Sequence, residues 1–291
     1  MLIARYNISY IAAADAVLPG YLGSMLRGLF GTLLMEHDPA LFARFFRPQA
    51  PDNALIRNFT GNDLPAPFII SPHRFVHFVR SGDRISFTLT LIGRFSQYED
   101  DIRQVFGRIP EIGLFNGKAP VSGFAFRPAG TNTAVVDLNR LPIPEGPVRN
   151  VMIRFLTPLA INTKRRLTAD FAFERFFGYL YRRLYVLQQL YDPASDPIPE
   201  LPPFNIKDLH IQPVNIRLQR RQIFRSPSRA EKFPMTGWTG SINYAGNLTP
   251  VLPYLEMGRY VHVGNKTVFG LGKYRLEYPK PPSKGRHEKQ A

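Results

Sequence analysis

The sequence contains no cysteine, few acidic residues and no long apolar run. The absence of cysteine in 291 residues excludes disulfides, cysteine nucleophiles and thiolate metal sites. No stretch approaches the roughly 18 consecutive apolar residues of a transmembrane helix. Arg5 and Asn7 interrupt the apolar N-terminus, which makes it a poor signal peptide. We therefore expect a soluble, cytoplasmic protein with no membrane partner.

The shortage of acidic residues leaves a strongly basic chain. The chain has 22 Asp and Glu residues and 37 basic residues, so its formal net charge is +15. Of the basic residues, 28 are arginine and nine are lysine. The planar guanidinium of arginine suits phosphate and stacks on bases. The charge favours a nucleic acid as partner, and a merely soluble basic protein is the alternative.

Hydrophobic periodicity in the first half predicts the order β-α-β-β-α-β, the ferredoxin-like (RRM-like) arrangement. The six segments are residues 2–12, 21–36, 68–79, 84–91, 98–108 and 121–127. Ser81-Gly82-Asp83 marks a hairpin between the second and third strands. The first helix carries Arg27, Gly28 and Gly31 opposite its apolar face. Because glycine disfavours a helix, we expect a backbone or a ligand to come close there.

The same order repeats after a Pro- and Gly-rich linker at residues 128–147, in which 134–138 is a candidate extra strand. The repeated segments are residues 148–156, 169–191, 209–219, 238–244, 249–256 and 267–278. We therefore predict an α+β fold of two tandem ferredoxin-like domains. Their bounds are residues 1–146 and 147–279, followed by a disordered basic tail at 280–291.

The segment 234–278 concentrates glycine and lysine ahead of its last strand. These residues are Gly264, Lys266, Gly270, Gly272 and Lys273. Glycine lets backbone N–H groups approach a ligand closely, and the ligand that such a loop favours is a polyanion. On the last strand, the two-residue period places Lys273 and Arg275 opposite Tyr274. The helix before the loop is predicted to end at Gly258.

The C-terminal segment has an ordered pattern. A strand and a short helix are followed by His262-Val263-Gly264, then Lys266-Thr267, then Phe269-Gly270-Leu271-Gly272-Lys273-Tyr274. This pattern resembles the C-terminal signature of the CRISPR-associated endoribonucleases that cut precursor CRISPR RNA, members of the RAMP (repeat-associated mysterious protein) superfamily. Residues 18–28 and 155–159 are similar to that family as well. The resemblance implies precursor CRISPR RNA and crRNA as partners, and other CRISPR effector subunits as further partners.

The candidate acid–base groups are the histidines. His37 follows the first helix, whose C-terminal dipole favours a protonated imidazole. The resemblance implies a catalytic histidine at this place, and a partly buried structural histidine is the alternative. His262, beside the glycines, stands second. His73 and His77 share a strand face, but no nearby carboxylate or cysteine completes a metal site, so we expect none.

The chain also lacks a Walker loop, a GxSxG elbow, an HExxH helix and paired carboxylates. Metal-independent RNA cleavage without a cofactor is the enzyme reaction consistent with that absence. The RNA 2′-hydroxyl attacks the adjacent phosphate, and the protein supplies proton transfer and positive charge. The products are a 2′,3′-cyclic phosphate and a 5′-hydroxyl. The predicted cations are Arg27, Lys266, Lys273 and the run Lys164-Arg165-Arg166, for which a solvated turn is the alternative.

Two other functions fit the same features. One is a non-catalytic RNA-binding RAMP subunit that retains crRNA in an effector complex. The other is a basic RNA-binding protein with no CRISPR role. The chain departs from the resembling family in having no cysteine after the first helix and no tyrosine or lysine beside His37. The oligomeric state is left open by the sequence.

Overall fold

The computed structural model describes residues 1–49, 56, 64–75, 77–130, 133–163, 166–223 and 235–278. The elements of the first half are β1 (Leu2–Ala12), β2 (Ala16–Val17), α1 (Leu22–His37), α2 (Pro39–Phe46), β3 (Phe68–Pro72), β4 (Phe78–Val79), β5 (Arg84–Ile92), α3 (Glu99–Gly107), α4 (Ile109–Ile112), β6 (Val121–Pro128) and β7 (Val135–Asp137). Those of the second half are β8 (Asn150–Leu159), β9 (Asn162–Thr163), β10 (Arg166–Leu167), α5 (Phe173–Tyr191), β11 (Gln212–Ile223), β12 (Met235–Ala245), α6 (Leu252–Val261) and β13 (Tyr274–Glu277). None of the described helices has both the length and the apolar character needed to cross a bilayer.

The N-terminal sheet has the strand order β3-β5-β1-β6, all antiparallel, with β7 added beside β1. Together with α1 and α3 this is the ferredoxin-like order. The register pairs Tyr6 with Leu89 and Arg5 with Thr90. Because successive side chains of a strand point to opposite faces, Tyr6 lies under the helices and Arg5 lies on the other face. There the Arg5 guanidinium packs on the Tyr260 ring of α6, 4.9 Å from its centroid.

The helix-covered face of this sheet holds an aromatic core. Phe30 of α1 stacks on Phe106 of α3 with ring centroids 5.2 Å apart. The same ring meets Phe68 of β3 edge-on at 5.1 Å. Phe30, Phe68 and Phe106 are all fully buried. Burying each such ring contributes about 2–3 kcal/mol to the hydrophobic stabilisation of α1 and α3 on the sheet.

The C-terminal sheet repeats the order as β11-β12-β8-β13, again antiparallel throughout. Its connecting helices are α5 and α6. Phe176 of α5 packs between Tyr244 of β12 and Tyr274 of β13, with ring centroids 6.4 and 6.0 Å away. The prediction of an α+β fold with two tandem ferredoxin-like units is therefore confirmed.

Several predicted bounds are wrong in detail. Helix α6 does not end at Gly258 but continues to Val261, because the missing side chain of this glycine lets Leu180 and the Tyr274 hydroxyl pack against the helix. The last strand is Tyr274–Glu277, and a 3-10 turn occupies Thr267–Phe269. The strand predicted over residues 68–79 is two strands, β3 and β4. The extra strand predicted at 134–138 is β7.

The two units share one continuous apolar core. Tyr191 at the end of α5 meets Phe95 edge-on at 5.3 Å, and the N–H of Leu2 donates to Asp192 Oδ2 at 2.7 Å. At the other side of the molecule, the hydroxyl of Tyr21 donates to the Phe269 carbonyl at 2.6 Å. The units are thus fastened at both ends of their contact, while the division at residue 146 remains a prediction.

Candidate nucleic-acid interface

A groove of about 550 Å³ lies between α1 and α5. Its described cations are Arg27 of α1, Arg182 and Arg183 of α5, and Lys266 of the loop before β13. No Asp or Glu is among the lining residues that the structure describes. Four cations that line one groove attract an anion to it. The structure thus brings the predicted Arg27, Gly264 and Lys266 together in one groove.

Arg27 is held in this groove by two aromatic rings. Its guanidinium carbon lies 5.0 Å from the ring centroid of Phe46 and 5.1 Å from that of Phe269. A cation near the faces of two rings gains the cation–π attraction twice. Since Phe46 belongs to the N-terminal half and Phe269 to the C-terminal half, the orientation of Arg27 depends on both units.

The second wall of the groove is a basic line on α5 that the sequence analysis did not identify. Tyr179, Arg182, Arg183 and Val186 line the groove at the i, i+3, i+4 and i+7 spacing of one helix face. Arg183 donates through Nε to the Val261 carbonyl at 2.9 Å, and burial lowers its pKa to about 10, so it stays charged at neutral pH. Helical spacing was the signal that could have found this line.

A second hollow of about 520 Å³ continues past Pro48, which lines both spaces. It is lined by Arg44, Arg47 and Arg94, again with no carboxylate among its described lining residues. Arg44 is fixed there because its Nη1 donates to the Tyr98 hydroxyl at 2.7 Å. The groove and the hollow together form a positively charged track along the contact between the units.

His37 lies outside this track. Asp38 accepts hydrogen bonds from the first N–H groups of α2 and so ends α1 at His37. His37 Nε2 lies 3.1 Å from Asp101 Oδ1, and the His37 side chain is 24% exposed. Arg27 precedes it by ten residues on the same helix, about 15 Å along the axis. The structure therefore separates these two predicted catalytic residues.

His262 is a buried histidine at the end of α6. It is 3% exposed, and its Nδ1 hydrogen-bonds the Leu271 carbonyl at 3.1 Å. Burial, with the nearby charges of Lys273 and Arg183, lowers its pKa well below the usual range. A neutral ring that is enclosed and already bonded holds the loop to α6 and does not reach the solvent where RNA would lie.

Gly270 and Gly272 serve packing, which corrects the interpretation of the loop as a ligand cradle. Gly272 has φ +70°, and a Cβ there would overlap the Val263 carbonyl. A Cβ on Gly270 would lie 2.6 Å from the Ile70 carbonyl of β3. The N–H of Gly272 donates to the Pro158 carbonyl at 3.0 Å, and the N–H of Gly270 donates to the Thr267 carbonyl at 2.7 Å. These donors are therefore used inside the protein.

The remaining predicted residues are spread over three places. Lys273 is not among the lining residues of the groove; its N–H donates to the Thr157 hydroxyl of β8 at 2.8 Å, and its carbonyl accepts from the N–H of Leu156. Lys164 and Arg165 lie outside the described residues, and Arg166 begins β10. His73 hydrogen-bonds through Nε2 to the Thr88 hydroxyl at 2.8 Å. Within the described ranges no three His, Asp or Glu side chains cluster as metal ligands would.

Two tandem ferredoxin-like units around a basic track place the chain among α+β proteins suited to binding RNA. Residues 153–274 match the family model of the CRISPR-associated endoribonuclease Cas6. Residues 1–126 match a second family model, AF_1859_N, described as an N-terminal domain. The resemblance to the CRISPR-associated endoribonucleases of the RAMP superfamily is confirmed. This relationship supports an RNA-cleaving enzyme that acts in CRISPR RNA processing.

Solved Cas6 structures share the fold over nearly the whole chain. The product complex of a Thermus thermophilus Cas6 is similar with a TM-score of 0.61 and 15% identity, covering 95% of this chain and 99% of that one. The same Thermus protein in another structure gives 0.55 and 16%, covering 95% and 98%. A Cas6-related protein from Pyrococcus furiosus gives 0.53 and 13%, covering 94% and 98%. No curated protein sequence matches the chain.

Proposed function

We propose that this protein is a metal-independent endoribonuclease that binds precursor CRISPR RNA along the track between its two units and cleaves it within the repeat. The carrying observation is the track itself: seven described cations line the groove and the hollow, with no carboxylate among their described lining residues. Such a positively charged surface attracts the phosphate backbone of RNA. A Cas6 product complex and a Cas6 substrate-mimic complex share the fold, and RNA is the partner proposed for this protein.

The proposed reaction uses the RNA as its own nucleophile. The 2′-hydroxyl loses its proton and attacks the adjacent phosphorus, and the bond to the 5′-oxygen breaks as that oxygen receives a proton. The products are a 2′,3′-cyclic phosphate and a 5′-hydroxyl. A cation beside the scissile phosphate would stabilise the charge that builds on it in the transition state. No redox step is needed, so atoms and charges balance without a further reactant.

His37 is the proposed proton donor. It is exposed enough to reach a bound phosphate, and its hydrogen bond with Asp101 orients the ring. Among the solved Cas6 structures of the same fold is a histidine-to-alanine mutant, at 20% identity and a TM-score of 0.52. The 15 Å between His37 and Arg27 along α1 requires the RNA to extend over several nucleotides, with the cut at one end of the protein-bound stretch.

Other CRISPR proteins are the proposed protein partners. A Cas6-RT-Cas1–Cas2 complex contains a chain that shares this fold with a TM-score of 0.57 and 12% identity. This chain covers 29% of that one, which is a much longer polypeptide. The relation supports a role beside other CRISPR components, and the crRNA made by cleavage is the species that such components would receive.

The deciding experiment is single-turnover cleavage of repeat RNA by the purified protein in EDTA, with analysis of the product ends. Cleavage with a cyclic phosphate and a 5′-hydroxyl is the expected result. Tight RNA binding without any cut would establish the RNA-retaining subunit in its place. Cleavage only with added Mg²⁺, or 5′-phosphate ends, would overturn the mechanism. A DNA version of the repeat serves as the negative control, because it has no 2′-hydroxyl.

A further inference from the structure

Another cavity, of about 380 Å³, lies in the N-terminal unit. It is lined by the segment that follows β3, by β4 and by the beginning of β5, together with the first residue of α1. None of its described lining residues also lines the groove or the hollow. The cavity is therefore separate from the track. We call it the β4 pocket.

Part of the wall of the β4 pocket is apolar. Leu22 of α1, Val79 of β4 and Ile85 of β5 line the cavity and are buried members of the hydrophobic core. Because close packing fixes core side chains, this part of the pocket is formed before any ligand binds. Its volume lies within the usual range for small-ligand sites, about 300–1,000 Å³, and such sites combine apolar walls with a few polar groups.

An aromatic ring is exposed at the pocket. Phe78 lines the cavity and is 51% exposed, whereas phenylalanine is usually buried in folded proteins. On the ribbon of β2 and β4 it is paired in register with Val17, which is exposed as well. Directly paired residues point to the same face, so the two side chains form one apolar surface. An exposed aromatic ring is a platform on which a nucleobase stacks.

The polar lining carries charges of both signs. Arg74 and Arg84 line the pocket together with Asp83. Among the residues that the structure describes, no ion pair includes any of these three side chains. Asp83 Oδ2 accepts from the N–H of Arg80 at 2.8 Å, which holds the carboxylate in place. A carboxylate has about four acceptor sites, so Asp83 can accept further hydrogen bonds from a ligand.

The wall beside the arginines is held by two hydrogen bonds. His73 lines the pocket, and its Nε2 lies 2.8 Å from the hydroxyl oxygen of the buried Thr88. The N–H of His73 donates to the Ser86 carbonyl at 3.1 Å. Both bonds fasten the segment after β3 to β5, so the backbone next to Arg74 is fixed. A fixed wall lowers the entropy cost of binding a ligand.

Guanine is the nucleobase whose hydrogen-bonding groups match these charges. Its N1–H and its 2-amino group are adjacent donors, which one carboxylate accepts together. Its O6 and N7 are adjacent acceptors, to which an arginine donates two hydrogen bonds. Adenine, cytosine and uracil each present an acceptor where guanine presents its second donor, so a carboxylate pairs less well with them.

We propose that the β4 pocket binds one unpaired guanosine of the RNA. The base stacks on Phe78, Asp83 accepts from N1–H and the 2-amino group, and Arg74 and Arg84 donate to O6, N7 and the backbone phosphate. The inference rests on the proposed function in taking RNA as the ligand. Leu22 begins α1 and His37 ends it, so the pocket and His37 are about 22 Å apart along the helix axis. The pocket therefore selects and positions the RNA and takes no part in bond cleavage.

The first test replaces each guanosine of the repeat RNA in turn by inosine, which lacks the 2-amino group. For the parent, one position is expected to lose roughly tenfold in affinity, the scale of a hydrogen bond to a charged group. In Asp83→Asn the same replacement should cost less than about threefold, because the charged acceptor is absent. Asparagine keeps an acceptor for the N–H of Arg80, so the turn is preserved. If no inosine effect depends on Asp83, the guanine assignment is wrong.

An adenosine at that position gives a readout that a structural role would not produce. Adenine has the acceptor N1 beside the donor N6, and an asparagine amide has a donor beside an acceptor. Asp83→Asn should therefore lower the preference for guanosine over adenosine at this position roughly tenfold relative to the parent. An equal preference in the two proteins would overturn the proposal, whatever their overall affinities.

Phe78→Ala tests the stacking platform. It should bind repeat RNA roughly tenfold more weakly, the scale of one base stacked on an aromatic ring, and Phe78→Trp should retain the affinity of the parent. Val135→Ala is the matched control, because Val135 is a 48% exposed apolar residue on β7 and does not line the pocket. The control should bind within about twofold of the parent. If Phe78→Ala binds RNA as the control does, the platform does not exist.

Free GMP separates the two sources of a guanine nucleotide. Asp83→Asn should lose affinity for repeat RNA, and GMP should displace RNA from the parent only weakly, because it lacks the contacts of the track. If GMP binds the parent tightly and Asp83→Asn loses GMP but binds RNA normally, the pocket belongs to a free nucleotide and the proposal is wrong.

These binding measurements do not depend on cleavage. If the parent cuts, a 2′-deoxy group at the mapped cut site keeps the RNA intact during binding. If the parent binds guanosine through the β4 pocket and never cuts, the proposed cleavage fails and the pocket stands. If the parent cuts normally and the pocket variants bind and cut as well as it does, the pocket fails and the proposed function stands.

Discussion

Asp101 Oδ1 lies 3.1 Å from Nε2 of His37, and this contact joins the last residue of α1 to α3. The two residues are 64 positions apart in the sequence and meet because both helices pack on the same face of the N-terminal sheet. The contact fixes the direction of the imidazole ring. It also forms an ion pair whenever the ring carries a proton.

The proposed role of His37 predicts a separation of cleavage from binding. His37→Ala should bind repeat RNA almost normally and cleave it at least roughly a hundredfold more slowly, the scale for losing one general acid–base group. The measurement is single-turnover cleavage in EDTA, with affinity determined separately. Full activity in this variant would remove the assignment.

Asp101→Asn tests the orienting contact. The amide still lies beside Nε2 but cannot form an ion pair with the ring, so we expect a smaller loss of cleavage than in His37→Ala and an unchanged RNA affinity. Single-turnover cleavage by both variants is the measurement, with affinity determined separately, and a loss as large as that in His37→Ala would contradict an orienting role. His262→Asn is the histidine control, since His262 is enclosed, and its rate should stay near that of the parent at pH 7.5.

The groove predicts a dependence of RNA affinity on Arg27. Arg27→Gln should bind repeat RNA roughly tenfold more weakly and reduce the salt slope by about one, as expected for a lost phosphate contact. Arg175→Gln is a matched control, because Arg175 is on α5 but is paired with Asp170 at 2.7 Å. Filter binding from low to high salt measures both. Equal affinity and slope for the two variants would show that the groove is not the RNA path.

We expect alanine substitutions at two glycines to change the free energy of unfolding in opposite directions. Gly272→Ala should lower the free energy of unfolding by about 1–3 kcal/mol, because φ is +70° and a Cβ would meet the Val263 carbonyl. Gly28→Ala should raise it by about 1 kcal/mol, since nothing lies within 4 Å of a Cβ at this position in the middle of α1. Chemical denaturation measures both. A stable Gly272→Ala protein that no longer binds RNA would restore the ligand-cradle interpretation.

The buried His262 predicts a loss of stability in mild acid. Its pKa is lowered in the folded protein, so the unfolded chain takes up a proton near pH 6.5 while the folded protein does not. Stability is therefore greatest above pH 6.5 and falls as the pH drops, with a slope that approaches about 1.4 kcal/mol per pH unit for this one group. Denaturation midpoints at pH 7.5, 6.5 and 5.5 should show the fall. In His262→Asn the slope should be smaller, and an unchanged slope would contradict the prediction.

The fold was predictable because it depends on local periodicity. The alternation of β1 and the apolar line of α1 bury side chains against the same core, so the order of elements follows from residues close in the chain. The bounds around Gly258 were not predictable, because they depend on Leu180 and Tyr274 packing there. The sequence alone does not distinguish a glycine that ends a helix from a glycine that lets another side chain pack closely against the helix.

The sites were predictable only in part. Glycine and lysine near residue 266 indicated an anion-binding loop, and Lys266 does line the groove. The contacts of Arg27 with Phe46 and Phe269 were not predictable, because the three residues are far apart in the sequence and meet only in the folded protein. Arg182 and Arg183 were not predicted, because the apolar residues of α5 indicate a buried helix and the sequence does not show that its other side lines a groove.

The groove has one wall near the beginning of the chain and the other near its end, and this order has a consequence during synthesis. All strands of the N-terminal sheet lie before residue 138, so they are synthesised before the second half of the chain. The contact between Arg27 and the ring of Phe269 forms only after residue 269 has been synthesised. The proposed RNA-binding groove therefore exists only after both halves of the chain have been synthesised and packed together.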